Sequence, residues 1–371
     1  MLIVLSGGGT AGHINPALAL AEVLIQRGHT VRFAGTPQGV EARLVAQAGI
    51  EFKGFEASGF NRKHPLSLFS AVKKIAKSST AARAWFEEIK PDVVVGFGGY
   101  VCIPVGRAAR ALHIPLVVHE QNSVMGMANT YLAKHAAAVA LTYEVAGNAL
   151  ADTSKVLVTG NPVRRQVFDA TRAEGRALLD IPENALLLLV FGGSLGARHL
   201  NTALVALKDR LLATDNLYIV HISGPKEYDT VCQQLKLTAQ QAKRWRVMGY
   251  QDHMGATMAA ADMVLARAGA TSLAEISALR IPALLVPFPH ATGDHQTMNA
   301  RAYTQRGAAV MVPDDQVETP AFAQELFGLL ENPAARAAMQ AAAATFGTQD
   351  AATKLADVVC AAAPEHANTL Q

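Results

Sequence analysis

Three short glycine-rich loops carry the residues of this sequence that could do chemistry. The first, Gly7–Gly12, matches the spacing G-x-G-x-x-G, and the others are Gly96–Gly99 and Gly192–Gly196. Glycine lets the backbone approach a ligand closely, and a following helix offers free N–H groups to an anion. A single loop is weak support, because glycines also form ordinary tight turns. Three such loops together favour the binding of phosphate groups.

A histidine, His13, follows the first glycine loop directly. Beside an anion site, its imidazole could take a proton from a reacting hydroxyl or could bind a diphosphate. It could also be a helix-end residue that only makes a hydrogen bond. We take His13 as the candidate catalytic base and leave its role as a diphosphate ligand open.

The same glycine spacing occurs in dinucleotide-binding proteins, so an NAD-dependent oxidoreductase is an alternative. Those proteins bind the ribose with an acid at the end of the second strand, about 20 residues past the glycines. Here Gly35 and Thr36 occupy that place, and Glu41 lies too far along the chain. The sequence therefore disfavours NAD, and a nicotinamide-binding titration would decide the question.

A polar stretch in the second half, residues 266–303, offers groups suited to a nucleotide sugar. Thr271–Glu275 is predicted to open a helix, whose start would face a diphosphate while Glu275 accepts both hydroxyls of a ribose. An acid at that position can also simply complement the helix dipole. His295, Gln296 and Asn299 follow on another predicted helix start, where they could bind a sugar or only cap the helix.

Buried strands alternate with helical patterns along the chain, which predicts an α/β fold. Unbroken apolar runs are typical of strands buried on both faces of a parallel sheet. The predicted strands are Leu2–Leu5, Val31–Ala34, Asp92–Val95, Leu116–His119, Ala138–Leu141, Val156–Thr159, Leu186–Phe191, Tyr218–Ile222, Arg246–Met248, Met263–Ala266, Ala283–Pro287 and Ala309–Val312. In the first helix, Asn15 is predicted as the N-cap and Pro16 as the first helical residue.

The pattern begins again near residue 185 and repeats a strand, a glycine loop and a helix. We therefore predict two Rossmann-like, doubly wound domains that face a cleft, with ligands at the carboxyl ends of the strands. The predicted domains are residues 1–162 and 163–371. Whether the final helix returns to the first domain is left open.

Composition and charge narrow the class of protein. Half of the residues are hydrophobic and 17% are charged, so the chain is not disordered. The net charge of +3 argues neither for nor against nucleic acid, and no nucleic-acid partner is predicted. We expect no signal peptide, because the start MLIVLSGGG is too short and uncharged, and no membrane span, because no apolar run reaches about 18 residues. We also expect no metal site, because no D-x-D, H-x-x-x-H or paired cysteines occur. The three cysteines are far apart, which favours a reducing, cytoplasmic compartment: Cys102, Cys232 and Cys360.

A basic segment, residues 57–86, contains no Asp or Glu. Its six positive charges are Arg62, Lys63, Lys73, Lys74, Lys77 and Arg83. Apolar residues lie among these charges, including Phe60, Leu66, Leu68, Phe69, Val72 and Ile75. The segment can be a solvated face. We predict instead that it binds reversibly to an anionic membrane surface.

Seven motifs, taken in order, carry a specific resemblance to a known family. They are GGTAGHINPALA, GFGGYVCIP, HEQNSVMGMAN, TGNPVR, FGGSLGAR, RAGATSLAE and DHQTMNA. Over nearly its whole length, the sequence resembles the peptidoglycan N-acetylglucosaminyltransferases of glycosyltransferase family 28.

The resemblance implies a glycosyltransferase of the GT-B fold that needs no metal and no cofactor. It implies inverting transfer of N-acetylglucosamine from UDP-N-acetylglucosamine to the muramoyl 4-hydroxyl of undecaprenyl-pyrophosphoryl-MurNAc-pentapeptide, with release of UDP. The acceptor would bind the first domain and the donor the second. The enzyme would be peripheral, on the cytoplasmic face of the inner membrane. A UDP-N-acetylglucosamine epimerase of the same fold remains an alternative.

The resemblance also assigns site residues. Contacts with the donor would come from Thr10, Ala11, Gly12, Asn122, Arg164, Ser194, Tyr250, Gln251, Ala270, Thr271, Ser272, Leu273, Ala274, Glu275 and Gln296. The acceptor diphosphate would lie near His13, at Gly9, Gly98, Gly99 and Tyr100. Glu120 is a weaker candidate for the base.

Overall fold

The chain forms two compact units. The computed structural model describes residues 1–57, 66–193, 196–346 and 348–364, with only the backbone at 66–71 and 348. Contacts between residues define unit 1 as Met1–Arg164 with Gln349–Gln371, and unit 2 as Arg165–Thr348.

Unit 1 contains a parallel sheet of seven strands in its described residues. The strands are β1 (Leu2–Ser6), β2 (Thr30–Gly35), β3 (Glu51–Gly54), β4 (Val93–Gly96), β5 (Leu116–Glu120), β6 (Ala138–Leu141) and β7 (Val156–Val158). The helices are α1 (Ala11–Gln26), α2 (Val40–Gln47), α3 (Leu66–Ile89), α4 (Cys102–Ala111) and α5 (Met127–Ala133), with a 3-10 turn at Glu144–Ala149. The strand order is β3-β2-β1-β4-β5-β6-β7.

This strand order fixes where a ligand can bind in unit 1. The chain moves outward from β1 through β2 to β3, and then resumes with β4 on the other side of β1. Ligands of such sheets bind outside the carboxyl ends of the strands at the point where the order reverses. Here that point lies between β1 and β4, so the first two glycine loops lie side by side.

Unit 2 repeats the architecture, with a parallel sheet of six strands in its described residues. The strands are β8 (Leu186–Phe191), β9 (Leu217–Ile222), β10 (Trp245–Met248), β11 (Met263–Ala266), β12 (Ala283–Leu285) and β13 (Ala309–Met311). The strand order is β10-β9-β8-β11-β12-β13, so the reversal lies between β8 and β11. The loops after these two strands are Gly192–Gly196 and Arg267–Gly269.

Helices flank this second sheet. They are α6 (Arg165–Phe168), α7 (Arg172–Leu178), α8 (Arg198–Ala206), α9 (Lys208–Ala213), α10 (Tyr228–Leu235), α11 (Ala239–Ala242), α12 (Met254–Ala259), α13 (Ala270–Ala278), α14 (His295–Thr304), α15 (Pro320–Leu330) and α16 (Pro333–Ala343). Single 3-10 turns lie at Thr292–Asp294, Asp314–Gln316, Ala344–Phe346 and Thr348–Asp350.

The final helix, α17 (Ala351–Ala362), packs in unit 1. Its residues Leu355, Ala356 and Val359 are fully buried in the same apolar cluster as Ile14 and Leu18 of α1. The chain therefore leaves unit 2 before its last helix and completes the core of unit 1.

The predicted α/β class is confirmed, and each of the twelve predicted strands is present with small differences at the ends. The sequence did not reveal β3, because this edge strand is short and mostly exposed. The predicted start of α1 was wrong. The helix begins at Ala11 with Thr10 as its N-cap, and Pro16 lies inside it. The helix thus starts directly from the glycine loop. Its N-terminus lies at the carboxyl ends of the strands, where such sheets bind ligands and which we call the ligand edge.

Among the described residues, no helix is both long and apolar enough to span a membrane.

Candidate active site

The first two glycine loops contact each other at the ligand edge of unit 1. The Gly8 N–H donates to the Gly98 carbonyl, with an N–O distance of 3.3 Å. Gly99 has φ +83°, and a Cβ built on it would lie 2.5 Å from the Gly8 carbonyl oxygen. Only glycine fits there. The structure therefore brings together the positions predicted for the acceptor diphosphate, Gly9, Gly98 and Gly99, with Tyr100 exposed beside them.

His13 is the third residue of α1 and lies against both loops. Its Nδ1 is 2.8 Å from the Gly8 carbonyl oxygen. Because a carbonyl oxygen only accepts, Nδ1 carries the hydrogen and donates it, and Nε2 of the neutral ring holds a lone pair. A Cβ built on Gly98 would lie 3.2 Å from Nε2. A proton acceptor therefore lies at the edge of the paired loops.

Glu120, the weaker candidate base, is buried at the end of β5 and fully engaged. Its Oε1 accepts from the Asn122 backbone N–H at 3.0 Å and from the Asn122 amide at 3.2 Å. Its Oε2 accepts from the Gly126 N–H at 3.0 Å and from the Asn129 amide at 2.8 Å. Four donors satisfy the carboxylate, so its role is to shape the loop that carries Asn122. This arrangement favours His13 as the base.

Next to Glu120, His119 is a structural residue. Its Nε2–H donates to the Gly160 carbonyl at 3.0 Å, and its Nδ1 accepts from the Gln121 amide at 3.1 Å. Burial lowers the pKa of His119 to about 4, so the ring is neutral near pH 7. It connects β5 to the segment that precedes α6.

Arg164, a predicted donor contact, lies against the first helix. Its Nε is 3.3 Å from Oε1 of Glu22 on α1. The pair is partly exposed, so its guanidinium keeps access to solvent. Thr10, Ala11 and Gly12 lie at the start of the same helix.

One acid lies closer to the end of β2 than its place in the sequence suggested. Glu41, on α2, accepts from the Thr36 N–H at the end of β2, with an N–O distance of 2.9 Å. Helix α2 folds back over the strand end and carries the carboxylate with it. However, Glu41 is fully buried and packs against Gly8, so it cannot reach a ribose from solvent.

In unit 2, the third glycine loop packs against the loop after β9. Gly196 has φ +80°, and a side chain there would meet the Ser223 carbonyl. Asn201 of α8 fixes the same place, because its amide donates to the Ser223 carbonyl at 3.0 Å and its Oδ1 accepts from Nε2 of His221 at 2.9 Å. Ser194, a predicted donor contact, lies outside the described residues.

Gln296 and Asn299 of α14 hold the loop that precedes α13. Oε1 of Gln296 accepts from the Ala268 N–H at 3.1 Å and from the Phe288 N–H at 2.9 Å. The Asn299 amide donates to the Ala268 carbonyl at 3.2 Å. The sequence placed both residues on a helix start, but it did not show that they hydrogen-bond the backbone of loops distant in the sequence. A ligand would meet the amide nitrogen of Gln296 rather than its oxygen.

The residues of α13, the predicted donor-binding helix, differ in their exposure to solvent. Thr271, Ser272 and Glu275 are partly exposed, so their side chains reach the surface of the unit. Leu273 and Ala274 are buried in the core, so they can contribute only backbone groups. The same holds for the buried Ala270 at the helix start, whose N–H belongs to the first turn.

At the end of β10, the other predicted donor contacts lie in a short loop. Tyr250 is 48% exposed, and Oε1 of Gln251 accepts from the His253 N–H at 3.0 Å. The Ser223 N–H donates to the Met248 carbonyl at 2.9 Å, which ties this loop to the one after β9.

Arg267 joins the loops that follow β11 and β12 in unit 2. Its Nη1 donates to the carbonyls of Val286 and Pro287, each at 3.1 Å, and pairs with Asp314. Burial alone would raise the pKa of Asp314, but hydrogen bonds from His199 and Arg267 lower it. The carboxylate is therefore ionised and neutralises the buried guanidinium. Across the described ranges of the chain, no three His, Cys, Asp or Glu side chains cluster as metal ligands would.

Comparison with known proteins agrees with this architecture. The glycosyltransferase family 28 N-terminal domain matches residues 3–141, and the C-terminal domain of the same family matches residues 187–355. A relative from Halothermothrix orenii is 40% identical over 323 residues, covering 86% of this chain and 87% of its own length. It is named UDP-N-acetylglucosamine--N-acetylmuramyl-(pentapeptide) pyrophosphoryl-undecaprenol N-acetylglucosamine transferase.

Two further matches cover almost the entire chain. A relative of the same name from Lactiplantibacillus plantarum is 39% identical, over 97% of this chain and 99% of its own. The crystal structure of MurG from Acinetobacter baumannii superposes with a TM-score of 0.75 at 30% identity, over 97% of this chain and 99% of that one. We conclude that the chain is a hexosyltransferase of the GT-B fold that belongs to glycosyltransferase family 28.

Proposed function

We propose that the protein transfers N-acetylglucosamine from UDP-N-acetylglucosamine to the 4-hydroxyl of a muramoyl-pentapeptide linked through pyrophosphate to undecaprenol. The observation that carries this proposal is the similarity, over 86% or more of the chain, to transferases named for that donor and acceptor. The reaction would serve peptidoglycan synthesis, and with it cell shape and division.

The donor is proposed to bind the ligand edge of unit 2. Its ribose would bind Glu275, whose partly exposed carboxylate lies on the same face of α13 as Thr271 and Ser272. Its diphosphate would bind the backbone N–H groups at the start of α13 and the third glycine loop, because helix N-termini favour anions. Gln296 would bind the sugar through its amide nitrogen.

The proposed chemistry uses Nε2 of His13 as the base. The muramoyl 4-hydroxyl oxygen attacks the anomeric carbon, and Nε2 of His13 takes the hydroxyl proton. The bond between the anomeric carbon and the β-phosphate oxygen breaks, and UDP leaves with the electron pair. The configuration at the anomeric carbon is inverted. The paired loops at Gly9, Gly98 and Gly99 hold the acceptor diphosphate beside the base.

An assay of UDP release tests this function. With UDP-N-acetylglucosamine alone, UDP should stay at background. Addition of the lipid-linked muramoyl acceptor should start its release. Release of UDP without acceptor, or conversion of the donor into an epimer, would favour an epimerase of the same fold and contradict the proposal.

Because the proposed acceptor is lipid-linked, we propose that the enzyme binds a membrane and that α3 contributes to this binding. Part of the predicted basic segment, residues 58–65, lies outside the described residues, and at 66–71 only the backbone is described. On the described part of α3, Lys73, Lys74 and Lys77 are exposed, and Val72 is 57% exposed beside them. Basic residues contribute about 1 kcal/mol each near an anionic leaflet. We propose that this surface binds the anionic cytoplasmic face of the inner membrane.

Replacement of Lys73, Lys74 and Lys77 by Glu should abolish most co-sedimentation with vesicles that contain anionic lipid. Binding by the unchanged protein should fall as salt rises, because the attraction is electrostatic. The matched control replaces Lys226, Lys236 and Lys243 of unit 2, which are also exposed, and should leave binding intact. Equal losses in both triple variants would show that net charge, rather than α3, controls binding.

A further inference from the structure

Glu41 is a buried carboxylate beneath the first glycine loop, and the chemistry described above gives it no role. It is the second residue of α2, and its side chain is fully buried. Oε1 accepts from the Thr36 N–H, whereas Oε2 is buried without a hydrogen-bond partner in the described residues. A buried carboxylate oxygen without a donor is unfavourable. A residue that only filled this space would therefore be apolar.

The carboxylate is packed tightly against glycines. A Cβ built on Gly8 would lie 2.6 Å from Oε1 of Glu41, and a Cβ on Gly35 would lie 2.7 Å from its Cγ. The missing side chains make room for the carboxylate at the start of α2, where the helix N-terminus favours negative charge. Glu41 thus accepts a hydrogen bond from the peptide at Thr36, and its carboxylate fills the space that a side chain on Gly8 would occupy.

The Gly8 peptide connects this acid to the proposed base. Its carbonyl accepts the Nδ1 hydrogen of His13 at 2.8 Å. The hydrogen bond at one imidazole nitrogen decides which tautomer the ring adopts. A shift of the Gly8 carbonyl would release Nδ1 and let the hydrogen move to Nε2, where it would block acceptance of a proton.

We propose that Glu41 is a positioning residue for His13. It holds the Gly8 peptide so that His13 keeps its hydrogen on Nδ1 and presents the Nε2 lone pair to the acceptor hydroxyl. This inference rests on the proposed function for the catalytic meaning of Nε2, but the tautomer itself can be measured without substrate.

The test combines spectroscopy with kinetics on the full chain. The protein is labelled with 15N-histidine, and the His13 signals are assigned by their loss in His13→Ala. The unchanged protein should show one tautomer, with hydrogen on Nδ1. Glu41→Ala should show a mixture, with kcat at least about tenfold lower and KM for the donor within about twofold. Glu41→Gln should restore both, because it keeps the length and an oxygen that accepts from Thr36.

Two further variants keep the test decisive. Val45→Ala removes a fully buried side chain from the same helix, so it should lower thermal stability without changing the tautomer. If Glu41→Ala does not fold, Glu41→Met retains the length but lacks the acceptor, and it should give the tautomer mixture. A single Nδ1–H tautomer in folded Glu41→Ala or Glu41→Met, or an equal mixture in Val45→Ala, would overturn the inference.

The outcomes also separate this inference from the proposed function. If the unchanged protein transfers no sugar but Glu41→Ala alters the tautomer, the proposed function fails and the positioning role stands. If the unchanged protein transfers sugar and Glu41→Ala retains both tautomer and kcat, the positioning role alone fails.

Discussion

Replacement of His13 by alanine is expected to lower turnover by about a hundredfold or more, the usual loss for a general base. The reason is the fixed orientation of the ring, with Nδ1 bonded to the Gly8 carbonyl and Nε2 presented as the proton acceptor. Donor affinity should change little, because the base acts on the acceptor. Steady-state kinetics with the lipid-linked acceptor, together with calorimetric titration of UDP, measure both quantities.

The matched control for this prediction is His135→Ala, which removes an exposed histidine of the same unit. It should leave turnover unchanged. If His13→Ala retains near-normal turnover across the pH range, His13 is only a helix-end residue. A large increase in the KM for the acceptor with kcat preserved would assign His13 to diphosphate binding instead.

Replacement of Glu275 by alanine is expected to weaken donor binding by about 1.5–3 kcal/mol, the scale of a charge-assisted hydrogen bond. This corresponds to an increase in the dissociation constant of UDP of about 10- to 150-fold. The carboxylate lies on the partly exposed face of α13, while the neighbouring Leu273 and Ala274 are buried. At saturating donor, turnover should fall much less than the affinity.

A nucleotide without ribose hydroxyls makes this prediction specific. Unchanged protein should bind 2′,3′-dideoxy-UDP more weakly than UDP, whereas Glu275→Ala should bind the two equally, because the interacting partner is gone. Glu325→Ala, an exposed glutamate on α15, serves as the control and should bind UDP normally. An unchanged affinity of Glu275→Ala for UDP would remove Glu275 from the donor site.

The sequence predicted the sheets well because their strands are continuous apolar runs. Leu186–Phe191 and Met263–Ala266 have the predicted bounds. Burial on both faces makes such a strand apolar throughout, so the apolar run and the strand end at the same residues. The short edge strand Glu51–Gly54 lacks that signal. The start of α1 was misplaced because proline is common at the first position of helices, whereas Pro16 lies inside this helix.

The side-chain contacts that hold the loops of the candidate site could not be predicted, because they depend on which loops the fold brings together. Glu41 lies 33 residues after Gly8 in the sequence, yet pairing of β1 with β2 brings it beneath that loop. Gln296 was predicted as a polar group on a helix start, but its bonds to Ala268 and Phe288 join two separate loops. By contrast, helical periodicity could have shown that Leu273 and Ala274 face the core.

The structure of the lipid product distinguishes inverting transfer to the muramoyl 4-hydroxyl from every other reaction. The enzyme is incubated with UDP-N-acetylglucosamine and the lipid-linked muramoyl-pentapeptide, and the sugar linkage of the product is determined by NMR. We expect one added N-acetylglucosamine on the muramoyl 4-oxygen in the β configuration, because the donor is α-linked and the attack inverts it. An α linkage, a different acceptor oxygen, or an epimerised donor without any lipid product would contradict it.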